Sequence, residues 1–379
     1  MDSQIDIQGY AEAPNDFVAL PYALYEGEPA WRPPLRMERA SQIDARKNPA
    51  MAGIRPRFFV ARRGGEAVGR IAAFLNSAHD ERYGDEAGFF GYFDCIDDPA
   101  VEDALLEAAK DWVRELGRTR LIGPAMWSVN EECGLLVDGF EHPPTVMMPY
   151  GRAHQVAALD RHGFTKVVDL LAYRADLSDG APETRMVRAM CALAERDEGI
   201  TWRSMDRANF KQEVALAMDI FNDGWSGNWG FLPFPQAQID HMAAEMKPIM
   251  FDEGFWVAVI DGEPAAFLWM IPDVNEAVRD FSGRLLPFNW AKLLWRLKRK
   301  QVTKARIPLM GIRKRYHNTR RGLAAVAKLC QMAFDAGHAN GFTQCELSWI
   351  LEENEGIKAI CEQAGADAYK RYRIFACDL

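Results

Sequence analysis

The densest chemistry in this 379-residue chain lies between residues 312 and 324. That stretch reads IRKRYHNTRRGLA: Arg313, Lys314, Arg315, Arg320 and Arg321 surround His317, and Gly322 stands at the head of an apolar helical pattern. The first turn of a helix has N–H groups without helical acceptors, at the positive end of its macrodipole, so it attracts anions. Arginine forks add charge-assisted bonds to phosphate oxygens. A solvated basic loop capping a helix would show the same composition. Further along, SWILEENEG (348–356) ends a strand-like run on Glu352, Glu353 and Asn354. A carboxylate at a strand exit can remove the proton of an ammonium or of an attacking amine. Asn354 also suits an N-cap, and a solvated acidic turn is the alternative. The stretch FNDGWSGNWGFLPF (221–234) supplies Trp225 and Trp229, which read either as aromatic packing at a helix exit or as contacts to a substrate.

The elements that must position these residues follow from periodicity. Strand 305–312 leads into the basic loop, helix 321–337 follows, then strand 343–350, helix 354–364 and strand 372–379. The first half shows the same order: strand 88–96, helix 99–117 and strand 120–125, a spacing that predicts a parallel crossover. Both halves carry a hairpin, FFVARRGGEA (58–67) and FWVAVIDGEP (255–264), turning at Gly65-Glu66 and Gly262-Glu263. Both end alike, in LDRHGFTKVVDLLAYRADL (159–177) and CEQAGADAYKRYRIFACDL (361–379). Two ordered matches at similar separations imply a duplication. Domains are therefore expected at 1–177 and 200–379. Residues 178–199 form a linker with one helix, which opens on Pro182-Glu183 and carries Met186, Met190 and Leu193.

A hairpin, a long strand, a helix, a strand, a helix and a closing strand resemble the GNAT acyltransferase fold, twice over. The expected class is α/β (α+β), with two tandem GNAT-like domains. Each would be a mixed, mostly antiparallel twisted sheet flanked by helices. The resemblance implies that CoA pyrophosphate binds where Ile312, Arg313, Arg320, Arg321, Gly322, Leu323 and Ala324 stand. The family pattern there is Arg/Gln-x-x-Gly-x-Gly/Ala; Thr319 replaces its first residue. In the first half the matching place reads CIDDPAVEDALL (95–106), whose acids repel a pyrophosphate, so no cofactor site is expected there.

The resemblance also implies a residue at the strand exit that handles the amine proton, Glu352 or Glu353, and a catalytic-site Asn opening the next helix, a place that Asn354 fits, with His317 as a further catalytic candidate. The family's leaving-group tyrosine is replaced by Cys361, with Tyr369 and Tyr372 just downstream. In tandem relatives such as N-myristoyltransferase the C-terminal carboxylate is the base, which brings Leu379 into the set. Trp225, Trp229, Trp349 and Tyr369 are expected to form the substrate pocket. The implied activity is N-acyl transfer from acyl-CoA, a co-substrate rather than a permanently bound cofactor, to an amine. The whole-chain pattern is similar to bacterial ceramide synthases, which favours a long-chain, sphingoid-type acceptor. A non-catalytic acyl-CoA-binding protein and a Fem-type aminoacyl transferase are the alternatives.

Bulk properties narrow the classes. The net charge of −9 argues against nucleic acid as a partner. Seven cysteines with no C-x-x-C pair read as reduced thiols, and the seven histidines show no metal-ligand spacing, so no metal is expected. The N-terminus MDSQIDIQGY lacks a signal-peptide pattern, and no apolar run is long enough to span a bilayer. A cytoplasmic protein is expected. One insertion departs from this acidic background: GRLLPFNWAKLLWRLKRKQVTKAR (283–306), basic and amphipathic. It reads either as a helix packed on the core or as a peripheral contact with the inner face of the membrane.

Overall fold

In a computed structural model, residues 4–181, 184–251 and 253–379 are described. Strands β1 (Ile5–Tyr10), β2 (Ile54–Arg63), β3 (Glu66–Asn76) and β4 (Ala87–Cys95) pair antiparallel in succession. The β2–β3 turn is made by Gly64 and Gly65, both at positive φ (58° and 87°). Two left-handed residues in a row give a turn whose twist matches the strands it joins. Helix α1 (Pro99–Glu115) then crosses to β5 (Arg120–Gly123), which pairs parallel to β4 from Ala87↔Arg120 to Phe89↔Ile122. Strand β6 (Thr165–Asp176) closes this half.

The second half repeats the plan. Helix α2 (Arg185–Arg196) precedes β7 (Ile200–Ser204), and helix α3 (Phe210–Trp225) precedes β8 (Phe255–Ile260) and β9 (Glu263–Pro272). The β8–β9 turn, Asp261-Gly262, again has positive φ at both residues (52° and 82°). After helix α4 (Asn289–Lys298) come β10 (Lys304–Ile312), α5 (Arg320–Ala339), β11 (Gln344–Leu351), α6 (Glu355–Gln363) and β12 (Asp367–Asp378). The class is α/β with a mixed, largely antiparallel sheet in each half, as expected.

Two compact units result, and their borders differ from the sequence reading. The first holds residues 1–170, 278–289 and 370–379; the second holds 171–277 and 290–369. In the first, the order is β1-β2-β3-β4-β5, then the end of β12, then the start of β6. Residues 370–379 belong here rather than to a 200–379 domain because alternate side chains of the last strand are apolar on one face. Phe375 and Cys377 are buried with Leu121, Leu135 and Leu159, Leu379 packs against them, and Phe375↔Gly123 sets the register with β5. In the second unit the order is the end of β6, then β11-β10-β9-β8-β7. The segment 178–199 is likewise no separate linker. Its helix α2 lies in the second unit, with Cys191 and Ala194 buried, while Pro182 and Glu183 lie outside the described residues. No helix among the described residues is long and apolar enough to cross a membrane.

Candidate active site

The site is built by two parallel strands that part. Strand β10 pairs with β11 only from Lys304↔Gln344 to Ile307↔Leu347. Pro308 follows the last pair and has no N–H to continue a ladder. Its other edge remains tied to β9 as far as Ile312, paired with Ala266, so β10 runs on while β11 diverges. A cavity of about 520 Å³ occupies the splay. Ile307, Pro308 and Ile312 of β10, Leu347 to Leu351 of β11, and the loop residues Tyr316, His317 and Asn318 line it. Gly322, Leu323 and Val326 of α5 close it on the helix side, and Ile357 and Ile360 of α6 add aliphatic surface. The aromatic candidates from distant parts of the sequence meet here. Trp225, Trp229 and Trp349 all line the cavity, with Trp225 and Trp349 edge to face at 5.6 Å. The Trp225 indole N–H donates to the Met310 carbonyl (3.1 Å), which satisfies a strand carbonyl in the splay.

The basic loop 313–319 leads into the first turn of α5, and its cations are unequal. Thr319 is the N-cap of α5: its hydroxyl accepts from the Gly322 N–H (3.0 Å), and its carbonyl accepts from Leu323 (3.0 Å). That gives Thr a role at the family's Arg/Gln position, and it leaves the N–H groups of Arg320 and Arg321 without a hydrogen-bond partner among the described residues. Gly322 is required by space: a Cβ there would lie 2.2 Å from the Tyr316 carbonyl oxygen. Three of the five expected phosphate cations are tied to carboxylates. Arg321 bonds Asp197 and Asp261 (2.7 and 2.6 Å), Arg313 bonds Asp219 (2.7 Å), and Arg315 pairs with Glu263. The guanidinium of Arg321 holds the Asp261 carboxyl below its usual range. Lys314 and Arg320 are exposed and carry no ion pair among the described residues. Ala324 is buried one turn into α5 and does not line the cavity.

The acid–base candidates separate in the same way. Glu353 lines the cavity and is exposed. Glu352 is half-buried and not part of the lining, its carbonyl taking the Lys358 ammonium (2.8 Å). Asn354 caps α6 by accepting from the Ile357 N–H (3.2 Å), although it also borders the cavity. The His317 ring sits at the rim, Nε2 against the Ile312 carbonyl (3.0 Å). Cys361 is buried in the core of the second unit, where desolvation pushes its thiol far up; it cannot meet a leaving thiolate. Tyr369 does not line the cavity either: its hydroxyl donates to buried Glu346. Tyr372 is fully buried, and the Leu379 backbone N–H bonds Thr119 in the first unit.

Sequence reading missed the group beneath the cavity. Ser348 lines it and donates to Glu346, while Arg306 donates to the Ser348 hydroxyl (2.9 Å) and carbonyl (3.0 Å). All three are at most 4% exposed. Polar residues interrupting two apolar strands at Arg306 and Glu346 were the available signal, since buried charge is kept only where it is paired.

No family model matches the chain. Among solved structures, a tandem GNAT protein from the clavulanic acid biosynthesis pathway superposes over 99% of this chain and 98% of its own, with a TM-score of 0.57 at 13% identity. Among curated sequences, the bacterial ceramide synthase of Caulobacter vibrioides is 39% identical over 95% of this chain and 93% of its own. The chain belongs to the family of this ceramide synthase, and its fold is that of a tandem GNAT protein. Protein YghO of Escherichia coli is 39% identical over 99% of the chain and 97% of its own length. In this tandem GNAT protein the open splay and the Gly322 loop both lie in the second unit, within the same stretch of chain.

Proposed function

We propose that the second unit transfers an acyl group from a CoA thioester to the amine of a long-chain, sphingoid-type acceptor, producing a ceramide-like amide. The observation that carries the reading is the open splay, bounded by the first turn of α5 and by apolar and aromatic walls. Its volume lies in the range of sites that bury most of a small ligand. In the reaction the amine nitrogen attacks the thioester carbonyl carbon, the C–S bond breaks, CoA leaves as thiolate, and the amine gives up one proton. The N–H groups of Arg320 and Arg321, with Lys314 and Arg320, receive the pyrophosphate. A strand N–H in the splay donates to the developing oxyanion. Glu353 takes the amine proton, since it is the exposed carboxylate of the lining without an ion pair among the described residues. Ser348, hydrogen-bonded to Glu346, offers a second outlet for the same proton. The aliphatic lining of Val326, Leu347, Ile350, Ile357 and Ile360 suits an acyl chain. Likeness to the C. vibrioides ceramide synthase supports the lipidic acceptor. Seven buried free cysteines are compatible with a cytoplasmic location.

The test is thiol release from a long-chain acyl-CoA. Release is expected to require a long-chain amine. Equal turnover with short polar amines would sink the assignment of acceptor while leaving acyl transfer intact.

A further inference from the structure

Helix α4 is apolar on the side where a surface helix should be polar. Leu293 and Leu297, one turn apart, are half-buried and pack against the core of the second unit. Arg296 also points inward, donating to the Ala277 carbonyl (2.5 Å). Residues 291, 294, 295 and 298 share the opposite face by helical spacing. Leu294 and Trp295 on that face are 54% and 52% exposed. Trp290 in the first turn is also about half exposed, and Leu286 and Phe288, just before the helix, are exposed as well. Scattered exposed apolar residues need no explanation, but five large ones within ten residues do.

The charge around them says what covers the face. In a chain of net charge −9, residues 281–334 hold no Asp or Glu, and Lys292, Lys298, Arg299 and Lys300 all fall on or directly after the helix. Lys292, Lys298 and Arg299 are exposed, and the last two sit at the helix C-terminus, where cations are favoured. Lys300, at positive φ, ends the helix. An acidic protein partner would satisfy the cations but leave Trp295 and Leu294 seeking an apolar pocket. An anionic bilayer satisfies both at once: indole and leucine side chains enter the headgroup boundary while lysine and arginine meet lipid phosphate.

We propose that the outward face of α4 is a docking surface for anionic membrane, seated through Leu294 and Trp295 and held by Lys298 and Arg299. The site is separate from the cavity, and its test does not depend on which amine is acylated. A chain that makes ceramide-like products would meet its apolar substrates at the bilayer it rests on.

The experiment is co-sedimentation of the full-length chain with vesicles of phosphatidylcholine, with and without phosphatidylglycerol. Binding is expected to require phosphatidylglycerol and to weaken as salt screens the cations. The pair Leu294→Glu and Trp295→Glu should lower vesicle binding by about tenfold or more. Both sites are exposed, so the thermal midpoint should stay unchanged. The pair Lys298→Glu and Arg299→Glu should abolish the preference for phosphatidylglycerol. No binding by the parent chain, or equal binding by parent and Leu294→Glu/Trp295→Glu chains, overturns the proposal. So does a dimer in sedimentation velocity that those two substitutions dissolve, which would assign the face to a second copy of the chain.

Discussion

The two units diverge most at the junction where the fourth strand of each half gives way to its long helix. In the first, residues 96–98 carry β4 into α1. Asp98 caps the helix by accepting from Ala100 (2.9 Å) and pairs with Arg63 (2.6 Å). Glu102 in the same turn is fully buried against His154 and Arg161 (2.6 and 2.5 Å). A Cβ at Gly69 would lie 2.7 Å from Leu105 and 3.0 Å from Val101, so α1 sits directly on the hairpin. In the second unit residues 313–319 make the same passage with a basic loop, and the first turn of α5 faces a cavity. The strands after the junction differ too. Gly91 of β4 approaches so closely that its Cβ would be 2.1 Å from the Ala125 carbonyl oxygen, and Trp127, 1% exposed, fills the space among Phe58, Phe74 and Tyr92. Acids follow suit. Glu132 of the first half is locked to Arg39 (2.6 Å), whereas Glu353 borders the cavity. The helix terminus of the first unit is thus already met by carboxylates and its neighbourhood is filled by side chains, whereas the first turn of α5 borders an open cavity.

Trp127→Ala probes the aromatic packing of the first unit and should have the largest effect. It should cost about 3–5 kcal/mol of stability in urea denaturation while leaving the KM for acyl-CoA in place. A matched rise in that KM would erase the distinction between the units. Gly322→Val forces a side chain against the Tyr316 carbonyl and should lower kcat/KM for acyl-CoA by about 100-fold, or about 2.7 kcal/mol. Glu353→Gln should lower kcat by about 100-fold with the acyl-CoA KM retained. If Glu346→Gln alone has that effect, the buried Ser348 route carries the proton instead.

Replacing Lys314 and Arg320 together by alanine should raise the acyl-CoA KM by roughly tenfold, most clearly at low salt. Arg321→Ala should alter stability more than KM, because its guanidinium serves Asp197 and Asp261. The smallest effect belongs to Asp98→Ala, about 1 kcal/mol of stability and no change in catalysis. The Arg63 bond holds the Asp98 carboxyl below its usual range. Its contribution is therefore present above about pH 4 and is lost as pH falls through the lowered pKa, so parent and variant stabilities should converge in acid.

Local signals in the sequence went a long way. Gly65-Glu66 and Gly262-Glu263 announced both hairpins, and the structure sets the turns one residue earlier, at Gly64-Gly65 and Asp261-Gly262, with positive φ at both residues of each. Gly322 after a run of cations marked the head of the long helix that borders the cavity, and the acids at 97, 98, 102 and 103 marked the acidic junction of the first half. Individual roles were less legible. Arg313, Arg315 and Arg321 look the same in sequence as Lys314 and Arg320, and only the positions of Asp219, Glu263, Asp197 and Asp261 separate them.

By itself, then, the sequence determined the duplicated order of strands and helices, the polarity of the two junctions and the aromatic residues that line the cavity. These depend on residue type and near-neighbour spacing. Tertiary structure alone decided that residues 370–379 complete the first unit's sheet, that Cys361 is a core thiol, and that Arg306, Glu346 and Ser348 meet beneath the cavity. Each of those outcomes is a pairing between residues far apart in the chain, set by which strand edge remains open and which carboxylate is within reach, and no local pattern encodes that.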